Sequence, residues 1–260
     1  MTRISKQLGF GLISLLVALT IGAFLLAGLF DLWLQTRKTF TVQSALSQVQ
    51  DNQRMAITLM SNTIQTGGYY PLYQNYLTPA PSPLFAEGTS FPATSASSAA
   101  PFVTDQYLSG GSNAQGDTIS VRFVADTKKN TNTLDCQGQA GTNGTTYTNT
   151  YSVDASGDLQ CDNGDGSGPL TIIAGTTVGG NVVSGVHNMV VLYGVDSTSA
   201  NKSANRYMTA SQVSSANLWT NVKSVWVTLN FINPMFGQPG QTTNPYLPIS
   251  RVIAVNQAAP

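Results

Sequence analysis

The chain begins with a short polar segment and then turns apolar without interruption. From Phe10 to Phe30 it reads FGLISLLVALTIGAFLLAGLF, 21 residues with no charge. At about 1.5 Å of rise per residue, a helix of this length spans roughly 30 Å, the thickness of a bilayer core. Only Ser14 and Thr20 carry polar side chains there, and a helix lets each hydroxyl bond a carbonyl one turn back. Past this run, neither Pro nor Gly occurs from Leu32 to Thr66, and apolar residues recur at Val42, Leu46, Val49, Ala56, Met60 and Ile64. Those steps keep one face of a helix. Gly67-Gly68, followed by Pro71, is a stop signal. The pattern predicts one long helix over 10–66, apolar all round in its first half (10–30, membrane-spanning) and amphipathic in its second.

Residues 67–117 change character. Pro79, Pro81, Pro83, Pro92 and Pro101 interrupt a Ser/Thr/Ala-rich stretch with no period, which predicts an irregular connection. Leu84, Phe85, Phe91 and Phe102 favour a connection packed on a domain over a mucin-like linker. From 118 to 260 the pattern is β-rich. Ile119, Val121 and Phe123 alternate with Ser120 and Arg122. Further strands are predicted over 146–153, 157–161, 170–173, 186–193, 222–231 and 249–255, with a tight turn at Asp154-Ala155-Ser156-Gly157 and a short helical region near 211–219. The expected architecture is α+β: a long N-terminal helix packed on an antiparallel β-sheet.

Composition narrows the function classes. The 260 residues include 12 Lys+Arg and 12 Asp+Glu, so the formal net charge is zero and charged residues are 9% of the chain. A typical soluble domain has about 25%. No basic excess points to nucleic acid as a partner. Arg3 and Lys6 precede the apolar run, while Asp31, Arg37 and Lys38 follow it, so charge counting alone biases orientation only weakly.

Candidate chemistry is sparse, and no cofactor is expected. There is one His and there are two Cys, too few for a His-rich metal site or a four-Cys zinc site. On the outer side of a membrane, Cys136 and Cys161 imply one disulfide; two buried thiols or a redox pair are the alternatives, and the spacing is unlike Cys-x-x-Cys. A Ser-His-Asp triad would have to use His187, with Ser184 and Asp196 nearby in sequence; a strand-edge His is the plainer reading. Asp154/Asp158 and Asp162/Asp165 lie in Gly-rich turns. The run Cys161-Asp162-Asn163-Gly164-Asp165-Gly166 has part of a calcium-loop pattern but lacks its full spacing and distal Glu, so turn chemistry is the simpler expectation. Tyr69, Tyr70, Tyr73 and Tyr76 either cover the end of the long helix or offer a partner surface. No Gly-x-x-x-x-Gly-Lys phosphate loop is present.

The apolar run could be a cleaved signal peptide, a plain anchor or a prepilin signal. A signal peptide usually has a shorter apolar region and a small-x-small cleavage site. The stretch Gly9-Phe10-Gly11-Leu12-Ile13-Ser14-Leu15-Leu16, behind a basic leader (1–9), resembles the type IV prepilin motif. That resemblance implies cleavage after Gly9 by a membrane peptidase, methylation of the new amine at Phe10, and a mature chain whose side chains carry 10 positive and 12 negative charges. Gly11, Gly22 and Gly28 would allow close helix approach in a fibre. The sequence departs from the family at Ser14, where prepilins usually have Glu. In the family this carboxylate is thought to neutralise a neighbouring subunit's terminal amine, which has a clear logic at the bilayer centre. Ser14 either marks a subunit at a position with an unfilled contact, such as the fibre tip, or is a tolerated substitution.

The C-terminal half carries a second resemblance. Tyr151-Ser152-Val153 through Gly157-Asp158-Leu159-Gln160-Cys161, then Val186-His187-Asn188-Met189 leading into Tyr193-Gly194-Val195-Asp196 and Asn205-Arg206-Tyr207, then Trp219 with Val222–Leu229 and Arg251–Val255, resemble PilW-type minor pilins. The resemblance implies a minor pilin, not an enzyme, that helps initiate pilus assembly in a tip-associated complex. Its implied partners are other minor and major pilins, prepilin peptidase, the inner-membrane assembly platform and a tip adhesin. It also implies an inner-membrane protein with a periplasmic domain that later becomes part of an extracellular pilus. A type II secretion pseudopilin and an anchored extracellular binding module are the alternatives.

Overall fold

A computed structural model describes residues 11–69, 91, 102–103, 106–125, 133–142, 145–198, 203–237 and 244–255. The chain divides into two compact units, Met1–Ser47 and Gln48–Pro260. Helix α1 runs Gly11–Gln65, one residue short of the expected end. In the first unit its large apolar residues from Leu12 to Phe40 are exposed, from 38% at Leu34 to 84% at Phe24. In the second unit the amphipathic stripe is buried: Val49, Ala56, Met60 and Ile64 all enter the core. The predicted 3.6-residue period therefore holds where there is a surface to pack on.

The helix exit shows why two glycines are needed. Gly67 N–H bonds the Ile64 carbonyl, Gly68 N–H bonds the Arg122 carbonyl at 2.9 Å, and Val124 N–H bonds the Tyr69 carbonyl at 2.9 Å. Gly68 takes φ +78°, the left-handed conformation that closes a helix. A Cβ on Gly67 would press on Val121, and one on Gly68 on the Tyr107 ring. The chain thus leaves the helix directly against a strand.

Nine strands form the main sheet: β1 (Leu108–Asn113), β2 (Gly116–Val124), β3 (Thr146–Val153), β4 (Leu159–Asp162), β5 (Leu170–Ile173), β8 (Val186–Val195), β9 (Arg206–Met208), β10 (Val222–Ile232) and β11 (Tyr246–Ala254). Strands β6 (Thr176–Val178) and β7 (Asn181–Ser184) pair as a separate hairpin. The order is β11-β10-β8-β2-β3-β4-β5, with β1 on β2 and β9 on β8. The fold is α+β, as expected, but the sheet is mixed. Every pairing is antiparallel except β2 with β8, which meet in parallel at Gly116 and Met189. Asp117 extends this join: its carboxylate accepts the Val191 N–H at 2.8 Å. Gly116 must be glycine here, since a Cβ would run into the Met189 backbone.

One expectation is corrected. The segment 67–117 is not wholly irregular, because β1 occupies Leu108–Asn113 and β2 starts at Gly116. The sequence LSGGSN hides β1, having no alternation of large apolar residues. Its Gly110 faces Tyr193 and Ala210 so closely that a Cβ would clash with both. The short strands β6, β7 and β9 also carry too few residues for a period to show. Helix α2 is Ala210–Ser215, begun by a capping box in which Thr209 and Gln212 bond each other's backbone N–H. A 3₁₀ turn, Trp219–Asn221, follows it.

The main core cluster joins the buried stripe of α1 to Ile119 and Val121 of β2 and to alternate positions of β3, β8 and β10. Tyr151 and Tyr193 are fully buried within it. The Tyr151 hydroxyl pairs with that of Thr63 on α1 at 2.7 Å. The Tyr193 ring meets Trp219 edge-on at 4.8 Å. Burial raises the pKa of both phenols well above the usual value.

Candidate functional site

The first candidate surface is α1 in the first unit. Its residues are held helical by their own backbone, and the two polar side chains of the apolar run are satisfied locally. Ser14 Oγ donates to the Gly11 carbonyl at 3.2 Å, and Thr20 Oγ1 to the Val17 carbonyl at 2.9 Å. Nothing in the run then resists an apolar environment. Gly11, Gly22 and Gly28 have open space where a side chain would be. The run ends at an aromatic and basic border. Phe30 and Trp33 stack at 5.9 Å, and the Arg37 guanidinium lies 5.4 Å over the Trp33 ring. Such residues suit a membrane–water boundary. The expected cleavage and methylation positions, Gly9 and Phe10, lie outside the described residues.

The second candidate surface is the β-rich unit. Cys136 and Cys161 are joined as a disulfide with Cα atoms 6.2 Å apart. It ties the segment around 133–142 to β4. Asp135 reinforces the tie: one carboxylate oxygen accepts the N–H groups of Gln137 and Gln139, and the other accepts Asn163 Nδ2 at 2.9 Å.

The acidic turns spend their oxygens on local N–H groups. Asp154 Oδ1 accepts from Ser156 and Asp158, each at 2.9 Å, and Asp162 Oδ1 accepts from Gly164 at 2.8 Å. Asp165 accepts the Ser167 hydroxyl and N–H, and these bonds hold its carboxyl below the usual range. Among the described residues, no three His, Cys, Asp or Glu side chains are placed to hold a metal. His187 is exposed and stacks on Tyr246 with centroids 4.1 Å apart. Asp196 is nine residues further along the β8 direction, about 30 Å away at strand rise. It is buried and accepts the Thr198 N–H and hydroxyl. A triad of Ser184, His187 and Asp196 is therefore not assembled.

The motif residues of the β8–β9 connection have local roles. Asp196 caps the turn that leaves β8. Asn205 Oδ1 accepts the Ser197 N–H and hydroxyl from the other side, and Asn205 N–H bonds the Val195 carbonyl. Gly194 lies under Tyr207, where a Cβ would press on the ring and on Ser224. The Tyr-Gly-Val-Asp and Asn-Arg-Tyr stretches thus build one hairpin and bring the Tyr207 ring against Gly194.

Two arrangements have no counterpart in the sequence reading. Arg122 is fully buried; its guanidinium donates to the Gln106 and Val103 carbonyls and lies over the Phe102 and Phe91 rings, 4.2 and 5.4 Å from their centroids. In the sequence it is one polar residue in an alternating strand, and nothing signals burial. Tyr207 and Trp226, far apart in sequence, meet edge-on at 5.4 Å on the exposed face. Of the tyrosines expected at the helix end, Tyr69 is described and exposed; Tyr70, Tyr73 and Tyr76 lie outside the described residues.

Comparison with known proteins matches these two surfaces. The model of the prokaryotic N-terminal methylation motif matches residues 4–30. The model of the type IV pilus-assembly protein W family matches residues 146–246, from β3 to the first residue of β11. Comparison with curated proteins finds no match. Among solved structures, a type IV-like pilin from Thermus thermophilus aligns over 80% of this chain and 95% of its own, at 14% identity and a TM-score of 0.41. The methylation-motif match takes in the charge-free start of α1, and the W-family match spans the motif-bearing strands of the sheet, so this chain is similar to type IV pilin-like proteins at both of its candidate surfaces.

Proposed function

We propose that the chain is a minor pilin that helps to initiate type IV pilus assembly in a complex at the fibre tip. The observation that carries this reading is the exposed apolar stretch of α1 under the methylation motif. A surface of that size is tolerated only in lipid or against other helices. In this reading prepilin peptidase cuts after Gly9 and the Phe10 amine is methylated. The subunit waits in the inner membrane with its β-rich unit in the periplasm. On extraction by the assembly platform, α1 exchanges lipid for the helices of other minor and major pilins, and a tip adhesin is a further partner.

Ser14 gives the proposed place. Its hydroxyl is bonded within its own helix, and it carries no charge to pair with a neighbour's terminal amine. A subunit that offers an amine but receives none fits the end of a fibre. Two strains test this. Deleting the gene should sharply reduce surface pili while leaving the pool of membrane-bound major pilin intact. Restoring the gene with Ser14→Glu should raise the amount of this subunit in sheared pili. Normal piliation in the deletion strain contradicts the initiation role, and an unchanged trace amount of the Glu variant contradicts the role of Ser14.

A further inference from the structure

We propose that the outer face of strands β9, β8, β10 and β11 is a binding platform for a neutral glycan. Cross-strand pairing sets its rows. Leu192, Trp226 and Val252 lie side by side, then Val190, Thr228 and Ser250, then Asn188, Asn230 and Pro248. The alternate positions of β8 and β10, such as Val191, Val225 and Val227, are buried in the core, so these rows face outward. Val252 is 51% exposed, Tyr207 40% and Trp226 38%. No residue in the rows is charged.

The rows differ in chemistry in a way that suits a sugar chain. One end is aromatic, with Trp226 edge-on to Tyr207 at 5.4 Å. The other end is the His187–Tyr246 stack. Tyr246 pairs with Ile232, six residues from Trp226, which places the two ends about 20 Å apart at strand rise. Between them lie neutral hydrogen-bonding groups already held in place. Asn230 Nδ2 donates to Asn188 Oδ1 at 2.6 Å. That bond leaves the Asn230 oxygen able to accept and the Asn188 amide able to donate. Thr228 and Ser250 share one hydrogen bond at 2.8 Å, which uses one of their two hydroxyl protons. A pyranose offers C–H faces to aromatic rings and vicinal hydroxyls to such a donor–acceptor pair, and groups fixed beforehand cost less entropy to engage.

The absence of charge decides between ligand classes. A nucleic acid or another anionic polymer needs cations, and the described rows of this face have none. A protein partner would need an apolar centre with a polar rim, whereas here the polar groups are central and the aromatic groups terminal. Gly194 is part of the platform, since only glycine lets Tyr207 lie against the sheet beside Trp226.

The test is calorimetric titration of the full-length chain, in a detergent without a sugar headgroup, with the β-1,4-linked hexasaccharides of glucose and of N-acetylglucosamine. Saturable binding to at least one is expected, weakened about tenfold or more by Trp226→Ala. Asn230→Ala, which removes no aromatic ring, should weaken it as well while circular dichroism stays unchanged. Three results overturn the proposal: saturable binding to neither probe, full binding by both variants, or a Trp226→Ala variant whose only change is loss of self-association in sedimentation. The platform does not depend on processing at Gly9, so its failure leaves the pilin reading untouched.

Discussion

The buried tyrosines are the residues whose chemistry is most exposed to conditions. Burial raises the Tyr151 pKa, with the Thr63 hydrogen bond acting in the opposite direction; burial, then the Asp117 charge, raises that of Tyr193. An unfolded tyrosine titrates at about pH 10. Because the folded values lie higher, the stability these phenols contribute is complete below about pH 10 and is lost as pH rises above it. Urea unfolding should therefore show a falling free energy from pH 10 upward. Tyr151→Phe should flatten that fall, at a cost of about 1 kcal/mol at neutral pH from the lost Thr63 bond. Equal alkaline slopes in the two proteins would contradict this. Arg122 makes a second case. Its planar group serves two carbonyls and two rings at once, so Arg122→Lys should lower the unfolding free energy by about 2 kcal/mol, measured by the same titration.

At the scale of elements, the disulfide and the helix exit are the points where one change should matter. The Cys136–Cys161 loop has a sequence separation of 25, and closing it stabilises the fold by about 3–4 kcal/mol in the chain-entropy model. Replacing both cysteines by serine should lower the urea midpoint accordingly; an unchanged midpoint would mean that the Asp135–Asn163 contacts suffice alone. Gly68→Val forces a branched residue into φ +78° against Tyr107 and should cost more than 1 kcal/mol, read as a lower melting temperature. The elements differ in how visible they were beforehand. Helix α1 and strands β5, β8 and β10 carry long periods or bounded apolar runs, and their positions could be read directly. Strand β1 could not, because its Gly110 serves close approach to Tyr193 and not periodicity. The parallel join of β2 to β8 rests on one bridge and one carboxylate, and neither leaves a mark in a hydropathy pattern. Likewise Tyr207 and Trp226 come together only through register, which is a property of pairing.

For the whole molecule, the resemblances that carry the proposed function were legible where they rest on contiguous residues. Residues 4–30, with Gly9-Phe10 and the apolar run, form one uninterrupted match to the methylation motif, and the turn residues Asp196 and Asn205 explain why the hairpin motif reads as it does. The outer sheet face was not legible, because it is assembled from four strands. The charge deficit of the sequence also divides between these parts: the apolar run of α1 carries no charge, and the outer rows of the sheet carry none either. The central claim is that the chain is processed and used as a pilin. It is tested most directly by mass spectrometry of the amino terminus of the protein isolated from its native membrane. The expected result is a peptide that begins at Phe10 and carries one added methyl group, so that the mature chain has 251 of the 260 residues. A terminus that still includes residues 1–9 would contradict it.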